Sequence, residues 1–163
     1  MIAGILIAIL ILGVSAWFFG RKFKRAQKRE EVENQFTERE RLIVDEAKER
    51  INDREKTSFT DEEPPIVMVR SSNQPIPHYS SKTWDEVEKE FNMQMEAFWS
   101  PELETVFIRT YLPRHPIEKA RPKEDIVNLV VHELHHAAGY SHGENMKKAV
   151  KEVQSEILTL INE

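Results

Sequence analysis

Residues 132–142, which read H-E-L-H-H-A-A-G-Y-S-H, constrain this chain more than any other stretch. His132 and His136 are four residues apart, so on a helix they lie on one face, one turn from each other. Gly139 predicts the end of that helix, because glycine adopts the left-handed conformation at low cost. The spacing therefore predicts a helix, a sharp turn and a return of the chain that brings His142 back towards the two earlier histidines.

The side chains of this stretch are those expected in a metal site. Three imidazole ligands, from His132, His136 and His142, suit zinc, and three protein ligands leave one position for water, the pattern of catalytic zinc sites. Glu133 lies one residue further round the helix, where it can act as a general base towards a water held by the metal. We therefore predict Zn²⁺ as the cofactor, those three histidines as its ligands and Glu133 as the catalytic residue.

The pattern H-E-x-x-H-x-x-G-x-x-H, with every fixed position filled here, resembles the signature of the metzincin zinc proteases. The resemblance implies a zinc metalloendopeptidase with Glu133 as general base. It also implies a methionine in a tight turn beneath the zinc. Met146 is the only methionine after the motif, and it also fits the apolar stripe of a final helix. In the gluzincins a glutamate from a later helix is the third ligand instead, and Glu152 or Glu156 could take that part.

Residues 1–20 contain no charged side chain and are long enough to cross a bilayer, since about twenty helical residues span its ~30 Å hydrocarbon core. Trp17, Phe18 and Phe19 lie at one end, where interfacial aromatic residues are common. A cleaved signal peptide, with a weak cleavage site at residues 14–16, is the rival interpretation, but no basic side chain precedes the apolar run. We expect a single-pass transmembrane helix in contact with the lipid bilayer.

The charges of the chain are unevenly distributed. Six of the 23 basic residues fall in residues 21–29, whereas all 28 acidic residues follow Arg29. Basic residues directly after a span favour the cytoplasmic side, so the soluble part is predicted to lie in the cytoplasm. The acidic body argues against binding of nucleic acid. The chain contains no cysteine, which excludes disulfides and thiolate metal sites.

Residues 30–58 are strongly charged and contain neither proline nor glycine. They carry a thin apolar stripe at helical spacing: Val32, Phe36, Ile43, Ala47 and Ile51. We interpret residues 21–59 as a basic juxtamembrane segment and a solvated helical stalk, capable of weak self-association. Residues 60–65, T-D-E-E-P-P, are interpreted as a linker, because paired prolines prevent a helix from continuing.

Residues 66–163 are predicted to form a small zincin-like α+β domain with a short sheet, an active-site helix and a C-terminal helix. Residues 66–69 and 105–112 have the β-branched and aromatic content of strands. In the family that the motif resembles, an edge strand above the metal pairs with the extended substrate. Residues 105–112 are the strong candidate for that role, and an ordinary core strand is the other interpretation.

Three helices are predicted in this domain from apolar residues at spacings of three and four. The first begins with a capping-box pattern at Thr83 and Glu86, has an apolar face that extends to Phe98, and ends at Ser100-Pro101. The second, which carries the motif, runs from residue 122 to about residue 138. The third covers residues 146–160 and packs back on the core.

Not every histidine belongs to the predicted site. On the second helix His135 falls near Asn128 and Glu124, away from the apolar arc, and so we expect it at the surface. His78 and His115 lie in predicted loops and are given no role in metal binding.

The sequence thus predicts a membrane-anchored zinc metallopeptidase that hydrolyses protein or peptide substrates. Two alternatives stay open. One is a membrane-tethered assembly protein whose metal site is structural or vestigial. The other is a cell-wall peptidase, which requires the opposite topology.

Overall fold

The computed structural model describes residues 36–77, 79, 81–112 and 119–162, and within them the chain from Phe36 onwards forms one compact unit. Its elements in chain order are α1 (Glu38–Glu55), β1 (Ile66–Val69), α2 (Trp84–Phe91), β2 (Ala97–Ser100), β3 (Thr105–Arg109), α3 (Lys123–Ala137) and α4 (Glu144–Leu160). The predicted α+β class is confirmed for these residues.

Several predictions concern residues beyond those described. The predicted transmembrane segment, residues 1–20, and the basic block, residues 21–29, both lie outside the described residues, as do His78 and His115. Among the helices in the described ranges, none is long and apolar enough to span a bilayer.

Strand β3 is the centre of a three-stranded sheet. It pairs in parallel with β1, where Ile66 lies opposite Val106, and antiparallel with β2, where Trp99 lies opposite the same valine. The two predicted strands are confirmed, although β3 ends at Arg109 rather than at Leu112. Because β3 has a neighbour on both sides, it is not an edge strand, and the alternative of a core strand is the correct one.

The helix predicted from Thr83 to Ser100 is wrong in its second half. Its start is as predicted, since the Glu86 carboxylate accepts a hydrogen bond of 2.7 Å from the backbone N–H of Thr83. The helix ends at Phe91, however, because Asn92 adopts a left-handed conformation with φ 50°. Strand β2 then follows, and it contains Phe98, the last residue of the predicted helical stripe.

The main core lies between one face of the sheet and three helices. Helices α1, α3 and α4 contribute to it, and Val106 and Ile108 of β3 point into it. The opposite face of the sheet carries a smaller aromatic layer, in which the rings of Phe98 and Phe107 stack with centroids 4.9 Å apart. Helix α3 contacts α1, α4, β2 and β3, so the motif helix is held from several sides.

The prediction of a solvated stalk is wrong for residues 38–55. Helix α1 buries four apolar side chains that are each at most 3% exposed: Ile43, Val44, Ala47 and Ile51. They belong to the same core as α3 and α4. The apolar stripe was correctly found in the sequence, but its partner is the domain itself and not a second stalk.

Polar contacts fix α1 to the rest of the fold. Glu40 accepts a hydrogen bond of 2.9 Å from Arg70, just after β1. Burial works against the ionised Glu40, but its hydrogen bonds outweigh burial and hold the pKa of Glu40 below the usual value. Further along, Nζ of Lys48 donates to the backbone carbonyls of Thr60 (3.0 Å) and Asp61 (3.1 Å). The predicted linker is therefore fastened to α1.

Truncation of the buried face of α1 tests whether this helix belongs to the domain. Ile43 is 1% exposed, so we expect Ile43→Ala to lower the free energy of unfolding by about 2–4 kcal/mol through lost burial and a cavity. Its neighbour Leu42 is 43% exposed, and Leu42→Ala should change that free energy by less than about 1 kcal/mol. Urea unfolding followed by circular dichroism measures both. Equal effects of the two substitutions would contradict the packing of α1.

Candidate metal centre

Helix α3 presents the first part of the motif. It begins after Pro122, and Glu124 and Asp125 in its first turn complement the positive end of the helix. Its apolar arc is fully buried: Val127, Val130, Val131 and Leu134. These four side chains fix the rotation of the helix about its axis. His132 and His136 consequently lie on another face, where each is half-buried.

Gly139 produces the turn that follows α3. Its φ is +92°, a conformation that residues with a side chain rarely adopt, and its N–H donates a hydrogen bond of 2.9 Å to the carbonyl of His136. The next helix, α4, begins at Glu144. The short connection between the two helices carries His142 back to the histidines of α3. The predicted order of helix, glycine turn and returning histidine is confirmed.

The three motif histidines meet at one place. His132, His136 and His142 each offer a ring nitrogen, and these nitrogens all lie within 4.8 Å of one another. The Nε2 atoms of His136 and His142 are 3.3 Å apart. In a tetrahedral site with Zn–N bonds of about 2.0–2.1 Å, ligand nitrogens are about 3.3 Å from each other. The spacing of His136 and His142 therefore fits two ligands of one zinc ion.

The protonation states of the histidines also suit a metal ligand. Burial, together with the nearby His136 and His142, lowers the pKa of His132 to about 4, so its ring is neutral at neutral pH. The neutral imidazole is the form that binds metals. Nδ1 of His136 lies 2.8 Å from the carbonyl oxygen of Tyr140. A carbonyl can only accept, so Nδ1 carries the proton and the lone pair of Nε2 is left for a ligand bond.

Glu133 lies between α3 and strand β2. Its side chain is buried, and its carboxylate accepts a hydrogen bond from the backbone N–H of Trp99. Burial raises the pKa of Glu133 to about 7, against the opposing effect of that hydrogen bond. A carboxyl group whose pKa is close to neutrality can both accept and release a proton.

The backbone of Trp99 belongs to β2, which is an outer strand of the sheet that the described residues form. Val106 of β3 lies opposite Trp99, and its N–H donates a hydrogen bond of 2.9 Å to the carbonyl of Pro65, the residue before β1. The N–H of Val106 therefore points towards β1 and away from β2. Trp99 and Val106 therefore form a non-hydrogen-bonded pair of the antiparallel ladder, and the backbone groups of Trp99 point away from β3. One of these groups reaches Glu133, which places this carboxylate beside the outer edge of β2.

The prediction that His135 lies at the surface is wrong. The side chain is 0% exposed, and its Nδ1 donates a hydrogen bond of 2.7 Å to the carbonyl of Val131. Arg54 and Glu55 of α1 lie close enough to influence its pKa, which burial lowers. Helix α1 therefore covers α3 at His135, whereas Glu124 and Asn128 on the same face are exposed, as predicted. His135 remains outside the cluster of ring nitrogens, as predicted.

The alternative ligands and the methionine turn can also be placed. Met146 lies within α4 and is 2% exposed, so it is part of the helical stripe and not of a separate turn. Glu152 and Glu156 bind Arg54 of α1, with 2.7 Å between Nη1 of Arg54 and Glu152. In the described part of the chain, neither glutamate belongs to the histidine cluster. His142 is thus the third side chain of the histidine cluster.

Two residues next to the site were missed from the sequence, Glu55 and Trp99. The hydroxyl of Tyr140 donates to the Glu55 carboxylate, and this hydrogen bond raises the pKa of Tyr140. Because the carbonyl of Tyr140 orients the ring of His136, α1 supports the metal-binding turn. Neither residue belongs to a motif. The apolar stripe of α1 and the aromatic pair in β2 were the only available signals.

Removal of the Tyr140 hydroxyl tests this support. We expect Tyr140→Phe to weaken zinc binding by about tenfold, because the partners that orient a ligand contribute to metal affinity. Tyr111→Phe is the matched control, since Tyr111 lies near Arg109 in the aromatic layer on the far side of the sheet. Competition with a zinc-binding dye gives both affinities. A Tyr140→Phe affinity equal to that of the control would contradict the role of the Glu55 contact.

Comparison with protein-family models, with curated proteins and with solved structures yielded no match to this chain. Metzincin-like identity therefore stays a prediction from residues 132–142.

Proposed function

We propose that this chain is a zinc-dependent metallopeptidase that hydrolyses peptide bonds in protein or peptide substrates. The observation that carries the proposal is the meeting of three histidine ring nitrogens within 4.8 Å of one another. The Glu133 carboxylate, next to His132 in sequence and beside the outer edge of β2, supports it further.

In the proposed mechanism His132, His136 and His142 would hold the metal. When bound, zinc supplies an acidified water and polarises the scissile carbonyl. Glu133 accepts the proton of the attacking water and passes it to the leaving amine. The backbone N–H of Trp99 orients the Glu133 carboxylate during both transfers.

The substrate would bind as an extended strand along β2. Ala97 and Trp99 both lie in non-hydrogen-bonded positions opposite β3, so their backbone groups point outwards. The N–H of Trp99 is taken by Glu133, so the groups offered to a substrate are the N–H and carbonyl of Ala97 and the carbonyl of Trp99. A peptide that pairs with this edge gains main-chain hydrogen bonds by strand addition. It would also pass close to Glu133. The pairing role that was predicted for residues 105–112 is therefore assigned to β2.

Membrane anchoring and a cytoplasmic domain are part of the proposal. Their support is the charge-free run of residues 1–20 and the basic block that follows it. The chain has no cysteine, so a single Glu102→Cys in the exposed turn between β2 and β3 gives a unique label. An impermeant maleimide should leave this cysteine unmodified in intact cells. External labelling would contradict the topology and favour the cell-wall peptidase.

The alternative of a membrane-tethered assembly protein loses one of its supports. The stripe that suggested self-association of a stalk is buried in the core of the same chain, at least from Ile43 to Ile51. The part of that alternative that stays open is a structural or vestigial metal site that does not catalyse hydrolysis.

Zinc content and cleavage of an unfolded protein test the proposed function. We expect the full chain, purified in detergent, to carry one zinc ion and to cleave unfolded casein. A chelator should abolish cleavage, and added zinc should restore it. One bound zinc without cleavage would favour a structural or vestigial site, and no bound zinc would overturn the proposal.

A further inference from the structure

A groove of about 490 Å³ opens beside the three histidines, along the seam between α3 and α4. His132 and His142 form one end of it. The other lining residues include Asn128, Met146, Lys147, Val150, Lys151 and Gln154. A second depression shares Lys151 and Gln154 and continues along α4. The candidate metal centre thus opens into an elongated channel on the surface.

The charge of this groove differs from that of the chain. Among the described residues that line the groove and its continuation, none carries a carboxylate, although acidic residues outnumber basic ones 28 to 23 overall. Two acidic residues of α4, Glu152 and Glu156, are turned towards α1, where they bind Arg54. Among the described residues that line the groove and its continuation, Lys147 and Lys151 are therefore the ones with a permanent charge.

The lysines lie above an apolar floor. Met146 and Val150 are 2% and 7% exposed, whereas Lys147 and Lys151 are both exposed. Lys147 also forms an ion pair with Glu144 at 2.8 Å, but both side chains are more than 70% exposed, so water weakens the pair and leaves the ammonium accessible. A bound peptide would meet two cations and a strip of apolar surface.

We propose that this groove binds the substrate residues on one side of the scissile bond and selects acidic side chains there. This inference rests on the proposed peptidase function. His132 and His142 at the end of the groove place the bound residues next to the bond that is hydrolysed. Carboxylates of the substrate would pair with the two lysines.

The spacing of the lysines specifies the pattern further. Lys147 and Lys151 are four positions apart on the helix, which corresponds to about 6 Å along the axis of α4. In an extended peptide, side chains two residues apart lie on the same side and about 6.6 Å from each other. The groove therefore fits an acidic residue, any residue, and a second acidic residue.

Cleavage-site profiling tests this specificity. Peptides from a digested proteome are incubated with the zinc-loaded chain, and mass spectrometry identifies the cleaved bonds. We expect Asp or Glu at two alternate positions on one side of the cleaved bond. Charge reversal in the double variant Lys147→Glu/Lys151→Glu should lower kcat/KM for such peptides by about tenfold. Lys148→Glu is the matched control, because Lys148 is on the same helix but does not line the groove. An unchanged preference in the double variant would overturn the inference.

Binding without hydrolysis separates this inference from the proposed function. The probes are two fluorescein-labelled peptides, (Gly-Glu)₄ and (Gly-Gln)₄, and the protein is the zinc-loaded Glu133→Gln variant. We expect the glutamate peptide to bind more tightly, with an affinity that falls as salt is added and is lost in the lysine double variant. Equal binding of the two peptides would overturn the proposed specificity of the groove and would not affect the proposed peptidase function. A binding difference, together with no cleavage by the unaltered zinc-loaded chain, would keep the specificity of the groove and overturn the peptidase function.

Discussion

Glu133→Gln should lower kcat for hydrolysis of an unfolded protein on the order of 10³-fold, while zinc stays bound at one ion per chain. The amide cannot accept the proton of the attacking water. Its oxygen can still accept the hydrogen bond from Trp99, so the contact between α3 and β2 should persist. Zinc content by mass spectrometry and kcat on a fluorescent casein substrate measure the two effects separately.

The control for this substitution lies on the same helix. Glu124 is exposed in the first turn of α3, and Glu124→Gln removes the same charge without touching the site. It should retain nearly full activity. If Glu133→Gln kept activity close to that of the Glu124 variant, Glu133 would not be the general base. If it lost zinc as well, its role would be structural.

His136→Ala should have the second large effect, a fall in zinc affinity of about 10²- to 10³-fold, because one of three protein ligands is removed. The Nε2 of His136 is 3.3 Å from that of His142, a spacing that fits two ligands of one zinc ion. Isothermal titration of the metal-free variant with zinc gives the affinity. Activity should fall in parallel with zinc occupancy and recover in part at high zinc concentration.

The adjacent residue provides a matched control for the loss of an imidazole. His135 is 0% exposed but stands outside the cluster of ring nitrogens. His135→Ala should lower the free energy of unfolding by about 2 kcal/mol, because a buried side chain is removed. At a temperature where the variant is folded, its zinc affinity should equal that of the unaltered chain. A similar loss of zinc in both variants would mean that His136→Ala acts through the fold and not through a ligand bond.

The candidate ligands could be predicted because they are close in sequence. His132, His136 and His142 lie within eleven residues, so helix geometry and one glycine turn bring them together without information from the rest of the chain. The buried arc of α3 was predictable for the same reason, since helical periodicity shows directly in the sequence.

The residues that surround the histidine cluster come from segments distant in sequence, and their positions were not predicted correctly. Glu55, which binds the Tyr140 hydroxyl, is 85 residues away in sequence. Helix α1 looked like a stalk because charged residues flank a narrow stripe. Ionic contacts at its margins, such as Arg54 with Glu152, satisfy those charges while the stripe is buried. His135 was misplaced for the same reason, because the helix that covers it had been assigned to solvent.

Strand β2 was missed because two periodicities overlap. Trp84 and Phe91 begin a helical stripe that Phe98 continues by chance, although Asn92 ends the helix. A better signal was available in the aromatic run at residues 97–100, which is separated from the strong strand at residues 105–109 by four residues, a length typical of a hairpin.

Coordination of one zinc ion by His132, His136 and His142 is the claim on which the proposed function depends. X-ray absorption at the zinc edge of the zinc-loaded chain tests it most directly, because the signal counts imidazole ligands and gives their distances. We expect three imidazole nitrogens at about 2.0 Å and one further oxygen ligand. The His142→Ala variant should show two imidazoles. A spectrum of the unaltered chain with fewer than three imidazoles, or with carboxylates in their place, would contradict the assigned site.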